Sequence, residues 1–200
     1  MDQSEKEIIA DIRAGNIDRF TDIIEKYQQL VARMVSQILK SPTDIEEVCQ
    51  ETFIKVYRKL DSFKGNAKFS TWIAKIAYNT SINFVKKKKL PLYRELIKKE
   101  SPREDTNLSD FEERLLSDLQ SPEESLIQKD VENITKTAIE KLPLRYRLIL
   151  ILYHQDGFTY EEIASVTGMP EGTVKNYLFR ARKQLKNFLI ENYRREEFWI

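Results

Sequence analysis

Apolar residues recur every three or four positions through most of the chain, the spacing of helices that bury one face. Phe20, Ile23, Ile24, Tyr27, Leu30, Val31, Met34, Val35 and Ile38 predict a long helix over residues 18–39. Ser41-Pro42 interrupts it, and Asp44 followed by Glu47 makes a capping-box-like start to a second helix. The inner face of that helix is Ile45, Val48, Cys49, Thr52, Phe53, Val56 and Leu60. A polar segment over 61–68, with Gly65 for a turn, breaks the period. Phe69, Trp72, Ile73, Ile76, Ala77, Thr80 and Phe84 then mark a third helix, with Lys68, Lys75, Asn79, Asn83 and Lys86 off its inner stripe. The run from Lys86 to Lys89 is expected to end it, its cations complementing the helix dipole.

Between Leu90 and Ser125 the period lapses, and Pro91, Pro102 and Pro122 argue for a linker. Leu126, Ile127, Ile134, Ala138, Ile139 and Leu142 resume a helix over 126–141, and Pro143 breaks it. Residues 144–153, LRYRLILILY, read as a buried helix from their length and leucine content, ended by Asp156-Gly157. His154 falls at its end, placed to cap the last carbonyls. Next, Thr159 and Glu162 form a capping box, Gly168 takes the left-handed conformation that stops a helix, and Pro170 suits the first position of another. Ala164, Gly168 and Val174 stand at the offsets where two crossed helices need compact residues, as in a helix-turn-helix. The expected fold is all-α: two small helical domains, 1–92 and 126–200, joined by an acidic linker over 93–125, with a helix-turn-helix in the second.

Charge sharpens this division. Lys and Arg total 33 against 32 acids, so nucleic-acid binding has to rest on where the charges sit. Residues 86–99 hold seven bases and one acid, whereas residues 100–133 hold eleven acids and three bases. The stretch 100–133 is therefore expected to be mobile in the free chain, too polar to fold alone. In the last helix, Val174, Leu178, Ala181 and Leu185 share the buried face, and Asn176, Phe179, Arg180, Lys183 and Lys186 the other. From Glu171 to Asn187 five bases (Lys175, Arg180, Arg182, Lys183, Lys186) face one acid, a field that attracts phosphates.

The residues that carry bond chemistry are scarce. Cys49 is the single cysteine and cannot form an intramolecular disulfide, and the acids around it (Glu46, Glu47, Glu51) suit a packing role better than a reactive thiol. His154, the single histidine, leaves no metal cluster. No glycine-rich phosphate loop, paired-carboxylate motif or nucleophile motif stands out, so no catalytic residue, metal or cofactor is expected. The acidic start MDQSEKEIIADI is not a signal peptide, and no apolar run approaches the length of a membrane span. A soluble, cytoplasmic protein is the expectation.

Two stretches carry a family resemblance. DIEEVCQETFIKVYRKLDSFKGNAKFSTWIAKIAYN is similar to the second conserved region of the extracytoplasmic-function sigma factors of bacterial RNA polymerase. AIEKLPLRYRLILILYHQDGFTYEEIASVTGMPEGTVKNYLFRARKQL is similar to their fourth. The resemblance implies that Glu46, Glu47, Gln50 and Glu51 dock on the clamp helices of core RNA polymerase. It implies that the loop and helix from Lys64 to Asn83 capture the melted −10 strand, with an extruded base held by the loop, through Lys64, Asn66, Lys68, Ser70, Trp72, Lys75, Asn79 and Asn83. Rings and polar edges are what an unstacked base needs. Trp72, on the inner stripe, is both a core candidate and a stacking candidate. The resemblance further implies that Gly172, Thr173, Lys175, Asn176, Tyr177, Phe179, Arg180, Arg182 and Lys183 read the −35 duplex in its major groove, that the acidic linker threads a basic polymerase channel, and that an anti-sigma factor is a partner.

Two departures stand out. The family commonly has Ser-Arg-Leu where this chain has Asn176-Tyr177-Leu178, so one arginine is missing and the −35 preference is expected to be unusual. Lys75 and Ile76 occupy the place of the tryptophan pair with which primary sigma factors melt DNA, so melting is expected to depend strongly on promoter sequence. The alternative reading is a stand-alone helix-turn-helix regulator whose N-terminal helices bind a ligand or dimerise. An enzyme with a DNA-binding tail would need an acid, base or metal set that the chain does not offer.

Overall fold

A computed structural model describes residues 3–97 and 131–192, and every regular element among them is helical. The linker from residue 98 onward, the expected mobility of 100–133, and Leu126 and Ile127 lie outside the described residues. The chain divides into two compact units.

The N-terminal unit begins with α1 (Gln3–Arg13), which the apolar spacing did not announce. Ile8, Ile9 and Ile12 are its buried residues. Gly15, at φ +101°, turns the chain, and a 3-10 turn over Ile17–Arg19 leads into α2 (Phe20–Ile38). The predicted stripe of α2 is inside: Ile23, Tyr27, Leu30, Val31, Met34, Val35 and Ile38 are buried, while Phe20 and Ile24 are half-buried. The second helix, α3 (Pro42–Lys59), is capped one turn earlier than the Asp44–Glu47 pattern suggests. The Ser41 hydroxyl accepts the Asp44 N–H at 3.4 Å, and Pro42 supplies a first-turn residue with no amide to satisfy. Val48, Thr52 and Val56 are buried, whereas Cys49 is only half-buried, and burial pushes its thiol pKa up, which favours the unreactive form. A 3-10 turn, Leu60–Ser62, and the loop that follows connect to α4 (Phe69–Ile97).

The lysine run does not end α4, which continues through Pro91 to Ile97. A proline inside a helix costs about 3 kcal/mol. Here it is followed by Leu, Tyr, Arg, Glu and Leu, mostly strong helix formers, and they sustain the turn that the cations were expected to close. α2, α3 and α4 pack on one another to form the core.

The C-terminal unit comprises α5 (Val131–Glu140), α6 (Leu144–His154), α7 (Tyr160–Thr167) and α8 (Glu171–Asn192). α6 is the buried helix that its composition predicts, with Leu144, Leu148, Ile149, Leu150, Ile151 and Leu152 inside. Arg147 is buried among them, and its Nη1 donates to the Glu140 carbonyl at 2.8 Å, tying the end of α5 to α6. Burial lowers its pKa and the Glu140 carboxylate partly restores it. Gly157, at φ +67°, lets the Phe158 amide return to Leu152 O at 2.9 Å, which closes α6.

Candidate nucleic-acid interfaces and docking face

The loop between α3 and α4 is closed at its base by aromatic rings. Phe63 and Phe69, both buried, lie 5.0 Å apart between centroids, and Trp72 is 5.2 Å from Phe63 and 5.6 Å from Phe69. Tyr27 meets Phe69 edge-on at 5.6 Å. Between these anchors Lys64, Asn66 and Lys68 stand exposed. α4 is buried around most of its circumference by Ile73, Ala74, Ala77, Thr80, Ser81, Ile82 and Val85. What it leaves outside is a narrow polar stripe, Lys75, Asn79 and Asn83, all exposed. At 100° per residue Lys68 and Trp72 share that side of the helix, so the stripe continues the loop. Ser70 does not join it: helical register turns it about 180° from Asn79, and it is half-buried. Trp72 is also half-buried, one ring face nearly parallel to Phe69 at 16°, so its packing role is established while its other side adjoins the stripe.

On α3, Glu46, Glu47 and Gln50 are exposed on the face opposite the buried stripe of Val48, Thr52 and Val56, and Glu51 is half-buried at its edge. Gln50 donates to Glu46 at 3.4 Å, and Glu51 pairs with Lys55 at 2.8 Å. Two residues of this face were missed in the sequence reading: Ile54, 50% exposed, and Tyr57, 40% exposed, whose ring meets Phe20 edge-on at 5.1 Å. An apolar residue three or four positions from Gln50 and Glu51, on the polar side of an amphipathic helix, was the available signal.

The helix-turn-helix forms as the sequence predicts at its start. Thr159 N–H donates to the Glu162 carboxylate at 2.8 Å, and Glu162 N–H to the Thr159 hydroxyl at 3.2 Å, the reciprocal bonds of a capping box. Pro170 sits one position earlier than expected, its carbonyl accepting from Thr173 and Val174 as the cap of α8. Gly168 has φ +74°, which accounts for glycine there. The close-approach reason does not hold, because a Cβ at Gly168 would meet nothing within 4 Å.

Val174, Leu178 and Ala181 are buried, and Leu185 is half-buried, which turns Gly172, Asn176, Phe179, Arg180 and Lys183 outward. Phe179 is 68% exposed. The flanks of α8 are committed elsewhere. Tyr177, which stands where the family has arginine, is half-buried with its ring 5.2 Å from Tyr146 of α6. Thr173 is half-buried on the same flank. On the opposite flank Tyr153 and Tyr160 stack at 5.2 Å, and cations lie over them: Lys175 over Tyr160 at 5.5 Å and Arg182 over Tyr153 at 5.2 Å. Lys175 also pairs with Glu171 at 2.6 Å, whose hydrogen bond holds the ammonium pKa up, while the hydrogen bond with Tyr153 raises that of Tyr160. Arg182 reaches His154 Nε2 from Nε at 3.2 Å and Nη2 at 3.1 Å. A guanidinium can only donate, so Nε2 is an unprotonated acceptor in this arrangement. Burial, then the Arg182 charge, lowers the His154 pKa accordingly. His154, expected to cap carbonyls, instead holds an arginine expected to bind DNA.

Among the described residues no group of three or more His, Cys, Asp or Glu is placed to hold a metal, and no helix is long and apolar enough to cross a membrane.

An N-terminal helical unit with a cationic loop, followed by a helix-turn-helix unit, defines a regulatory DNA-binding protein. Residues 23–90 match the family model of Sigma-70 region 2, and residues 133–185 that of Sigma-70, region 4. The chain is 34% identical over 185 residues to the ECF RNA polymerase sigma-E factor of Escherichia coli (strain K12), covering 90% of this chain and 91% of that protein. It is 29% identical over 185 residues to the sigma-E factor of Haemophilus influenzae, with 92% and 94% covered. In fold it is similar to RpoE solved with the anti-sigma factor NepR from Bartonella quintana (TM-score 0.61, 20% identity, 87% of this chain and 98% of that one). It is likewise similar to CnrH solved with the cytosolic domain of CnrY (TM-score 0.59, 19% identity, 93% and 97%). The chain belongs to the ECF family of RNA polymerase sigma factors, alternative sigma factors that direct transcription initiation. The region 2 match over the N-terminal unit disfavours the stand-alone regulator.

Proposed function

We propose that the two units divide promoter recognition by the state of the DNA. The first, about residues 1–92 with the rest of α4, docks on core polymerase through Glu46, Glu47, Gln50 and Glu51, with Ile54 and Tyr57 among them. It holds the melted −10 strand along Lys64, Asn66, Lys68, Lys75, Asn79 and Asn83. The second, 126–200, reads the −35 duplex with Asn176, Phe179, Arg180 and Lys183 at the centre of its exposed face, while Lys175 and Arg182 serve phosphates from the flank. The acidic segment 93–125 joins them. The observation that carries this reading is the first half of α4: between Phe69 and Val85 the helix is buried on most sides, and its exposed residues, Lys75, Asn79 and Asn83, form a stripe continuous with a cationic loop, the chemistry that tracks a phosphate backbone and base edges. The chain itself performs no bond chemistry and works in the cytoplasm beside the polymerase. An anti-sigma factor, the kind of partner with which RpoE of Bartonella quintana was solved, is assigned to this chain too.

The docking half is tested by charge reversal. Glu47→Lys with Glu51→Lys is expected to weaken competition for core enzyme by about tenfold or more. The Glu51–Lys55 pair that is lost is partly solvated and screened, and adds little to stability. Unchanged competition by a double variant of full helicity would reject the docking face.

A further inference from the structure

The loop assigned to strand capture is held from a helix that the family models do not cover. Arg13, the last residue of α1, donates from Nη2 to Leu60 O at 2.8 Å and to Phe63 O at 2.9 Å, with Nε 3.7 Å from the Asp61 carboxylate. Leu60 and Phe63 are both buried, and they bracket the turn by which α3 ends and the loop begins. Carbonyls at the end of a helix lack partners within it, and a cation there is favoured by the helix dipole. Leu60 O also accepts the Phe63 N–H at 3.1 Å, so the contact does not merely fill an empty position. It fixes the spacing of two carbonyls on either side of the turn, immediately before Lys64, Gly65 and Asn66. The anchor is itself firm: Ile8, Ile9 and Ile12 of α1 are buried, and Glu5 pairs with Lys26 at 2.8 Å on α2. Gly65 takes φ +74°, and residues 64–67 stand exposed between the aromatic base of the loop and α4.

We infer that Arg13 is a positioning residue for the −10 strand: by clamping Leu60 and Phe63 it presents Lys64 and Asn66 in the capture geometry. This rests on the strand-capture reading above. Lysine cannot replace it: both carbonyls are held by the terminal Nη2, one bond beyond the reach of a lysine ammonium, and lysine has no second nitrogen to face Asp61 while that contact is made.

Full-length chains carrying Arg13→Lys, Arg13→Ala or Asn66→Ala, each combined with core enzyme, test this on duplex and pre-melted promoters, with hydrogen exchange of amides 63–68 followed in parallel. Arg13→Lys keeps a cation beside the turn, so core binding and −35 duplex binding stay at the parent level. Opening falls by about tenfold, a loss of about 1.4 kcal/mol, and loop exchange rises severalfold. Adding Asn66→Ala to Arg13→Lys then costs less than the product of the two single effects, because both act through one loop. Parent-level exchange over 63–68 in both Arg13 variants, or normal opening where Asn66→Ala is slow, overturns the clamp and leaves Arg13 as a helix cap. Faster loop exchange with normal opening in both Arg13→Lys and Asn66→Ala overturns the capture reading itself, and the positioning role with it.

Discussion

The two helices assigned to DNA are built in opposite ways. Between Phe69 and Val85, α4 is buried around most of its circumference and shows solvent one polar stripe; α8 is exposed around most of its circumference and buries one stripe of Val174, Leu178 and Ala181. The difference suits the two ligands proposed for them. A major groove admits a whole helix, so a duplex reader has to stand clear of its own unit. A single strand has no groove to enter, and needs a fixed platform along which phosphates and bases are laid. The same contrast appears in the aromatic residues. Phe69 of α4 is buried and packs against Tyr27, Phe63 and Trp72, whereas Phe179 of α8 is 68% exposed beside Arg180.

Substitution of those two phenylalanines gives the largest separation. Phe69→Ala is expected to destabilise the N-terminal unit by about 3–5 kcal/mol, read as an early unfolding transition. Phe179→Ala is expected to leave stability within about 0.5 kcal/mol and to weaken −35 duplex binding. Equal stability losses would erase the distinction between platform and probe.

A smaller effect separates residues within α8. Arg180→Ala should weaken specific −35 binding by about 1–3 kcal/mol. Arg182 is held by His154 and Tyr153, so Arg182→Ala should cost less and act alike on all sequences, lowering the salt dependence of binding. Sequence-dependent losses for Arg182→Ala, with uniform ones for Arg180→Ala, would exchange their roles.

The smallest effect is the pH response of that flank. His154 has a folded pKa below its ordinary value of 6.5, so the folded chain takes up the proton less readily than the unfolded one. Its contribution is whole above about pH 6.5 and is lost as pH falls through the window beneath. The groups facing it are Tyr153 on its own helix and Arg182 on α8. His154→Gln should flatten a shallow loss of C-terminal stability between pH 7 and 5; an unchanged slope would show that the imidazole does not carry it.

Features made by neighbours in sequence were legible, and those made across the fold were not. The Thr159–Glu162 box and the left-handed Gly168 depend on residues within a few positions of one another, and both are present. The stripes of α2 and α8 follow from helical period alone. α1 was missed because three isoleucines in a short polar helix give a weak signal, and its burial is decided by packing against α2. The extent of α4 was missed because a lysine run and a proline are penalties that good helix formers outweighed. Of the site residues, the exposed lysines and asparagines were readable as such, but Arg182 was not: its partner lies 28 residues away in sequence. Arg13, 47 residues from the carbonyl it holds, left no local trace.

Under the proposed function, strand capture falls to the loop and stripe of the N-terminal unit. The most direct measurement is promoter opening by the full chain with core polymerase, comparing Asn66→Ala and Lys68→Ala with the parent on duplex and on pre-melted templates. Unpairing costs a few kcal/mol on the duplex alone, whereas capture energy is lost on both. Both variants are therefore predicted to open the duplex slowly, with the pre-melted bubble restoring only part of the loss, while core binding and −35 binding stay at the parent level. Opening at the parent rate on both templates would contradict strand capture by this loop.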